Sequence, residues 1–359
     1  TFAKNGINVI GIDKNKKLID TLNNGELPFY EKGLQKNLSD SSKNIKYTND
    51  YDGVIDKSDV SIILVNTQIG KEGYSSEYVV SAMEDLCNEL KNSNKIYHLF
   101  ILSSTVLPGE SENKLIPMVE EITGRKLNNF INGFGFCYVP DIVKLGSVIQ
   151  DFENPDVMMI GKSDDYSCKL TKEIYQNIFK NEPPIVEMSL SEAEVSKVAL
   201  NAYLVNKISF ANFLSNLCEE MDDVNVDNVT NAIGFHKPIS PYFLKGGLSF
   251  GGTCFPRDTQ AFISLANKFG LNATQIVATH EINRQQDLKL YNIINDSGKK
   301  NISILGLSFK PHSPVIVESP SIKLIELIFE DLIPGENDKV INVYDPLCMD
   351  EVKEKFGNK

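Results

Sequence analysis

Short apolar runs alternate with amphipathic helical patterns along the first half of the chain. Continuous apolar runs bounded by polar residues are typical of strands that are buried on both faces of a parallel sheet. They predict strands at residues 7–12, 58–65, 97–102, 134–139 and 157–161, with helices at 15–23 and 74–92. Because repeated alternation of strand and helix is typical of α/β proteins, we predict a Rossmann-like, doubly wound domain over residues 1–188.

The pattern changes at residue 189. Residues 189–221 form a long helical pattern without proline or glycine, which predicts a spine helix whose apolar face forms a homodimer. Further helices are predicted at 261–269 and 273–287, and strands at 301–307 and 340–345. The fold class is therefore α/β, with a central helical domain at 189–288 and a second, smaller α/β domain at 289–359.

An acidic residue, Asp13, ends the first predicted strand and is followed by a helix. In the second strand of a dinucleotide-binding unit, a carboxylate at this point binds the ribose hydroxyls and repels a 2′-phosphate. Asp13 therefore favours NAD over NADP as a cofactor. Strands also end in aspartate for reasons of turn geometry, and this alternative remains open.

The glycine-rich phosphate loop of such a unit, G-x-G-x-x-G, is absent from the sequence. We expect it to lie just before Thr1, together with the first strand of the unit. That strand is central in the usual strand order, so we predict a sheet that is interrupted at its centre.

Threonines follow two of the predicted strands. Thr67 comes after the strand at 58–65, and Thr105 after the strand at 97–102. Ligands of open α/β sheets bind at the carboxyl ends of the strands, so both hydroxyls are candidate ligands of the cofactor. For each threonine considered alone, the alternative role is to cap the N-terminus of the next helix.

Composition and charge narrow the class of partner. The chain has 359 residues, 42% hydrophobic residues and a net charge of −12, which argues against nucleic acid or an anionic membrane as the main partner. No apolar run reaches membrane-spanning length and no signal peptide opens the chain. Six scattered cysteines without a C-x-x-C pair and four distant histidines predict a reducing, cytoplasmic compartment and no metal site.

The segment 246–258 combines four glycines with Cys254, Pro256, Arg257 and Asp258. Cationic neighbours and a helix N-terminus favour the thiolate form of a cysteine, and an apolar helical pattern follows at once. Cys254 is thus a candidate nucleophile. A glycine-rich turn that holds a buried structural cysteine is the alternative for any single segment of this kind.

The order G-G-x-x-F-G-G-x-C-x-P-R-D in this segment resembles the active-site loop of the UDP-glucose/GDP-mannose dehydrogenase family. The segments G-L-S-F-K-P at 306–311 and E-S-P at 318–320 are similar to that family too, most of all to its UDP-glucose 6-dehydrogenases. The resemblance runs over essentially the whole chain. It implies oxidation of the C6 alcohol of a nucleotide-sugar to a carboxylate with two NAD per turnover, through a thiohemiacetal and a thioester on Cys254.

The resemblance also implies further site residues. Lys197 and Asn201 would stabilise the oxyanion, Asp258 would transfer a proton or position water, and Thr105 would bind water near C6. Asp141 would activate the hydrolytic water, although the family usually has glutamate there. The implied cofactor residues are Asp13, Thr67 and Thr105. The implied substrate residues are Phe243, Leu244, Lys245, Gly246, Gly251 and Lys310.

Besides Asp141, several positions depart from the family pattern, and two of them replace a cation that would bind the substrate. Val317 replaces an arginine before E-S-P, and Pro238 replaces an arginine before the active-site loop. Three alternatives therefore stay open: a non-catalytic nucleotide-sugar-binding homologue, a dehydrogenase for another UDP- or GDP-hexose, and a two-electron hydroxyacid dehydrogenase. Hydroxyacid dehydrogenases need no cysteine, so the presence of Cys254 disfavours the last alternative.

Overall fold

The computed structural model describes residues 1–70, 73–332 and 339–357. The chain forms two compact units, unit 1 at Thr1–Lys197 and unit 2 at Val198–Lys359. No helix in the described ranges is long and apolar enough to cross a membrane. The bounds of the three predicted domains stay a prediction.

Unit 1 contains ten strands and six complete α-helices among its described residues. The strands are β1 (Val9–Ile12), β2 (Ile45–Thr48), β3 (Val60–Ile63), β4 (Gln68–Gly70), β5 (Gly73–Ser75), β6 (Tyr97–Leu102), β7 (Lys126–Leu127), β8 (Gly133–Tyr138), β9 (Met158–Lys162) and β10 (Ile185–Ser189). The helices are α1 (Lys16–Asn23), α2 (Leu34–Ser41), α3 (Glu77–Asn92), α4 (Ile116–Thr123), α5 (Val148–Glu153) and α6 (Asp165–Gln176).

The main sheet of unit 1 is packed on both faces, as a doubly wound sheet requires. Its strand order is β10-β9-β8-β6-β3, with β7 beside β8, and β3, β6 and β8 run parallel. Along β6, Phe100 and Leu102 enter a core with α3 and α4, while Leu99 and Ile101 enter a second core with α6. The alternation of side chains along a strand produces these two cores, and the predicted α/β class is confirmed.

The parallel pair β1 and β2 forms a separate two-stranded sheet, and within the described chain neither strand pairs with β3. Ile10 and Ile12 of β1 nevertheless pack against the core that contains Ile63 of β3. The sheet is therefore interrupted between β1 and β3, where the sequence predicted an interruption.

Unit 2 begins within the long helix α7 (Leu190–Glu219), the predicted spine helix. The elements that follow are α8 (Val226–Gly234), α9 (Phe255–Lys268), α10 (Thr274–Asp296), β11 (Asn301–Leu305), α11 (Pro320–Glu330), β12 (Val340–Tyr344) and α12 (Met349–Phe356). Strands β11 and β12 pair in parallel, and α11 packs Ile322, Ile325 and Ile328 into the core beside them.

Three helix boundaries differ from the prediction by three residues or more. The helix expected from 261 starts at Phe255, directly after Cys254. The helix expected from Tyr74 starts at Glu77, because Tyr74 lies in a short β4–β5 hairpin whose three-residue strands are too short for periodicity to reveal. The helix expected to end at 287 continues to Asp296, since the first glycine after Thr274 is Gly298.

Candidate active site

Cys254 occupies the N-cap position of α9 and is exposed, whereas the other five cysteines are buried. Its sulfur lies 3.6 Å from the hydroxyl oxygen of Thr253. The alternative of a buried structural cysteine is therefore wrong, and the thiol is accessible at the positive end of a helix dipole.

Two glycines let the backbone before Cys254 pass close to its neighbours; we call residues 246–254 the cysteine loop. A Cβ on Gly251 would lie 2.0 Å from the carbonyl oxygen of Glu318. Gly252 has a φ of +85° and lies against the ring of Phe309, and its N–H donates to the carbonyl of Val317 at 3.0 Å. Both positions exclude larger residues, which explains the glycines at this point.

Asp258 lies in the first turn of α9 and is fully buried. Its carboxylate accepts a hydrogen bond from Nδ2 of Asn201 at 2.6 Å and pairs with Nε of Arg257 at 2.9 Å. Paired and hydrogen-bonded carboxylates tolerate burial. The structure thus brings two predicted residues, Asn201 and Asp258, together, and adds Arg257, which the sequence indicated only as a cationic neighbour of Cys254.

Phe243, the first of the predicted substrate residues at 243–246, lies next to the start of α9. The ring of Phe243 is 6.2 Å from that of Phe255 between centroids, and the backbone at Phe243 has a φ of +60°. Leu244 is buried, Lys245 is exposed, and Gly246 lies against Ser215 of α7. This arrangement leaves a cation and main-chain groups at the surface beside the cysteine loop.

Lys310 follows the phenylalanine that covers Gly252. Its ammonium lies 5.9 Å from the centre of the Phe309 ring. The structure therefore places Lys310, which the sequence predicts to bind the substrate, close to the cysteine loop.

In unit 1, the segments after β3 and β6 are joined by hydrogen bonds. The N–H of Ser103 donates to the carbonyl of Ile63 at 2.9 Å, and the hydroxyl of Ser104 donates to that of Val65 at 2.7 Å. Thr67 and Thr105 lie on these two segments, and both are buried. Both predicted threonines thus lie at the carboxyl edge of the parallel strands.

Lys197 and Asp141 meet in unit 1. The Lys197 ammonium is buried and donates a hydrogen bond to the backbone carbonyl of Asp141 at 2.5 Å. Burial raises the pKa of the Asp141 carboxyl to about 6, although the charge of Lys197 acts in the opposite direction. A carboxyl with this pKa changes protonation state near neutral pH, as a general base requires.

Asp13 follows β1, and its carboxylate is exposed. Its Oδ1 accepts a hydrogen bond from the N–H of Asn15 at 2.7 Å, so the turn role that the sequence left open is present. An exposed carboxylate after a parallel strand, together with Thr67 after β3 and Thr105 after β6, fits the ribose side of a dinucleotide.

Sequence reasoning missed Glu194, which is fully buried in α7. Its carboxylate accepts hydrogen bonds from the N–H groups of Gly109 at 2.6 Å and Ser111 at 3.0 Å, and burial raises its pKa. Glu194 thereby fixes the turn that follows Thr105. A charged residue on the buried face of an apolar helix, one turn before Lys197, is the signal that could have identified it.

Comparison with known proteins matches two domains of one family to this chain. The NAD-binding domain of the UDP-glucose/GDP-mannose dehydrogenase family matches residues 1–179, and its central domain matches residues 191–285.

Individual relatives extend the match to nearly the whole chain. The UDP-glucose 6-dehydrogenase TuaD of Bacillus subtilis (strain 168) is 30% identical, over 100% of this chain and 75% of that protein. The GDP-mannose 6-dehydrogenase of Pseudomonas putida is 30% identical, over 89% and 73%. The solved structure of a UDP-glucose dehydrogenase from the archaeon Pyrobaculum islandicum has a TM-score of 0.91 and 27% identity, and covers 99% of this chain and 80% of that one. The chain therefore belongs to the UDP-glucose/GDP-mannose dehydrogenase family of oxidoreductases, and its cofactor is NAD.

Proposed function

We propose that this protein oxidises the C6 alcohol of a nucleotide-sugar to a carboxylate in two NAD-dependent steps, with UDP-glucose as the favoured substrate and UDP-glucuronate as the product. The observation that carries the proposal is Cys254, which is exposed at the N-cap of α9 and is held on a cysteine loop in which Gly251 and Gly252 leave no room for larger side chains. A two-electron alcohol dehydrogenase has no need of such a thiol.

The electron balance of the proposed reaction explains why the enzyme needs a thiol. Bound NAD supplies the hydride acceptor for both oxidations. The alcohol first loses a hydride from C6 and a proton from its oxygen, which gives an aldehyde. The Cys254 thiolate adds to that carbon to form a thiohemiacetal, and loss of the second hydride gives a thioester. Water cleaves the C–S bond, which releases the carboxylate and restores the thiol.

The remaining roles follow from the contacts in each unit. Lys197 is a buried cation and would stabilise negative charge on the substrate oxygen, with Asn201 as a second donor. Asp258 is fixed by Asn201 and Arg257 and would hold water or pass a proton. Thr105 would bind water near C6, and Asp141 would activate the water that cleaves the thioester.

The substrate assignment is supported by the relatives, which include UDP-glucose and GDP-mannose dehydrogenases. Exposed Lys245 and nearby Lys310 would supply charge for a pyrophosphate, and the main chain at Phe243, Gly246 and Gly251 would supply N–H donors. The N–H of Leu244 donates to the carbonyl of Pro241 at 3.3 Å, so buried Leu244 would contribute to this segment by packing.

The deciding experiment is NADH production by the full-length protein against a panel of UDP- and GDP-sugars. We expect turnover with UDP-glucose and two NADH per sugar. One NADH per substrate would instead indicate a two-electron hydroxyacid dehydrogenase. Binding of UDP-glucose by calorimetry without NADH formation would identify a non-catalytic nucleotide-sugar-binding homologue and overturn the proposal.

Turnover is expected to depend on the protonation of Asp141. Because its pKa is raised to about 6, the carboxylate that acts as base is lost as pH falls through 6. Steady-state rates measured from pH 5 to 8 should therefore rise through an apparent pKa near 6 in the wild type. The Asp141→Asn variant should lack this acid limb. A limb that persists in Asp141→Asn would remove Asp141 from the base role.

We also propose a homodimer that forms through α7. Four large apolar side chains on one face of this helix are exposed: Tyr203, Phe210, Phe213 and Leu217. Exposed apolar faces of this kind are typical of subunit contacts.

A Phe210→Asp substitution is therefore expected to convert the dimer to a monomer in sedimentation experiments, because it buries an unpaired charge. The control is Ile131→Asp, which changes an equally apolar exposed residue of unit 1 and should leave the dimer intact. A wild-type monomer would disprove the dimer proposal.

The domain roles and compartment follow from the same proposal. Residues 1–188 would bind NAD, 189–288 would supply the cysteine loop and the dimer face, and 289–359 would bind the nucleotide-sugar. All six cysteines are free thiols, which supports a reducing, cytoplasmic compartment.

A further inference from the structure

The cysteine loop obtains most of its main-chain hydrogen bonds from side chains rather than from neighbouring strands. At Phe250, the N–H donates to Oδ1 of Asn283 at 2.7 Å, and the carbonyl accepts from Nδ2 of the same side chain at 3.0 Å. Asn283 lies on α10 and is only 5% exposed. One buried carboxamide thus satisfies both polar groups of a residue that is four positions before Cys254.

Two more carboxamides hold the residues before Phe250. Asn212 of α7 accepts from the N–H of Gly247 at 2.8 Å and donates to the carbonyl of Leu248 at 3.2 Å. Gln286, one turn after Asn283, donates to the carbonyl of Gly247 at 2.6 Å. Because a glycine-rich segment has many accessible conformations, contacts of this kind select one of them.

A charged network continues from the same face of α10. Asp287 accepts a hydrogen bond from the hydroxyl of Ser249, and its carboxylate lies 3.6 Å from the Lys323 ammonium. Lys323 also pairs with Glu318 at 2.9 Å. The carbonyl of Glu318 is the group that lies over Gly251, so both ends of the loop are held within unit 2.

We propose that Asn283 is a positioning residue, which sets the backbone of the cysteine loop and thereby the place of the Cys254 sulfur; its effect on turnover rests on the proposed function. Both hydrogen bonds of the Asn283 side chain go to the backbone of Phe250, so Asn283 acts on Cys254 through Phe250. Its loss leaves a buried N–H and a buried carbonyl without their partner, which costs free energy and favours loop conformations in which both groups reach water.

Amide hydrogen exchange of residues 246–254 tests the structural part of the proposal. In Asn283→Ala we expect exchange at the Phe250 amide to become about tenfold faster or more. Asn283→Asp keeps the acceptor for that amide but turns a carboxylate oxygen towards the Phe250 carbonyl, so the Phe250 amide should exchange faster than in the wild type and more slowly than in Asn283→Ala. If the alanine variant does not fold, the comparison of Asn283→Asp with the wild type decides. The matched control is Thr279→Val, one turn earlier on α10, which removes a buried hydroxyl that contacts α7 but not the loop.

Steady-state kinetics test the consequence for turnover. We expect kcat of Asn283→Ala to fall about 10- to 100-fold while the KM for UDP-glucose changes much less, since a misplaced nucleophile impairs the chemical step. The assignment would be overturned if the Phe250 amide exchanged at the wild-type rate in Asn283→Ala, or if it exchanged as fast in Thr279→Val as in Asn283→Ala. It would also be overturned if a variant with faster exchange in the loop kept the wild-type kcat. If the wild type forms no NADH, the proposed function fails, and the exchange measurement still decides whether Asn283 orders the loop.

Discussion

Replacing Cys254 with serine is expected to lower NADH production from UDP-glucose by ~1,000-fold or more. A hydroxyl at this position is a much weaker nucleophile than a thiolate. The thioester, whose formation releases the second NADH, cannot form. Binding of UDP-glucose, measured by calorimetry, should change little, because the glycines and lysines beside the loop remain. The control is Cys218→Ala, which removes a buried thiol of unit 2 and should leave turnover within about twofold of the wild type.

The exposure of Cys254 adds a chemical test of the same assignment. The other five cysteines are buried, so alkylation of the native protein by iodoacetamide should label one residue. UDP-glucose should protect that residue if the substrate covers the thiol. Full activity in Cys254→Ala, or labelling that UDP-glucose does not slow, would remove Cys254 from the mechanism.

The sequence predicted those parts of the fold whose signal is local. The strand at 97–102 matches its predicted bounds, because a continuous apolar run is itself the signal of a buried strand. The motif around Cys254 likewise identified the loop, and the structure confirms that the thiol is exposed.

Contacts between distant positions could not be predicted in the same way. Asn283 lies 33 positions after its partner Phe250, and Glu194 lies 85 positions after Gly109. Each of these residues is an ordinary polar residue within a helical pattern, and no periodicity links it to a loop elsewhere in the chain. The raised pKa of Asp141 depends on burial by its surroundings, which the sequence does not encode locally.

The second large effect is expected at Lys197. In Lys197→Met the side chain keeps much of its length and loses its charge, so the stabilisation of negative charge on the substrate oxygen is lost. Removing one preorganised donor of this kind typically lowers kcat about 100- to 1,000-fold, and we expect a loss in that range. Lys169→Met is the control, since it removes the same charge from an exposed position of unit 1 and should have little effect.

Lys197→Met should also change the pH profile, which separates an electrostatic role from a loss of folding. Burial raises the pKa of Asp141, and the charge of Lys197 acts in the opposite direction and lowers it. Without that charge the pKa of Asp141 should lie above its present value of about 6, and the acid limb of the residual turnover should move to higher pH. An acid limb that stays in place would show that Lys197 does not act on Asp141. A kcat within about twofold of the wild type would remove Lys197 from oxyanion stabilisation, because a buried ammonium beside a developing charge cannot be lost without cost.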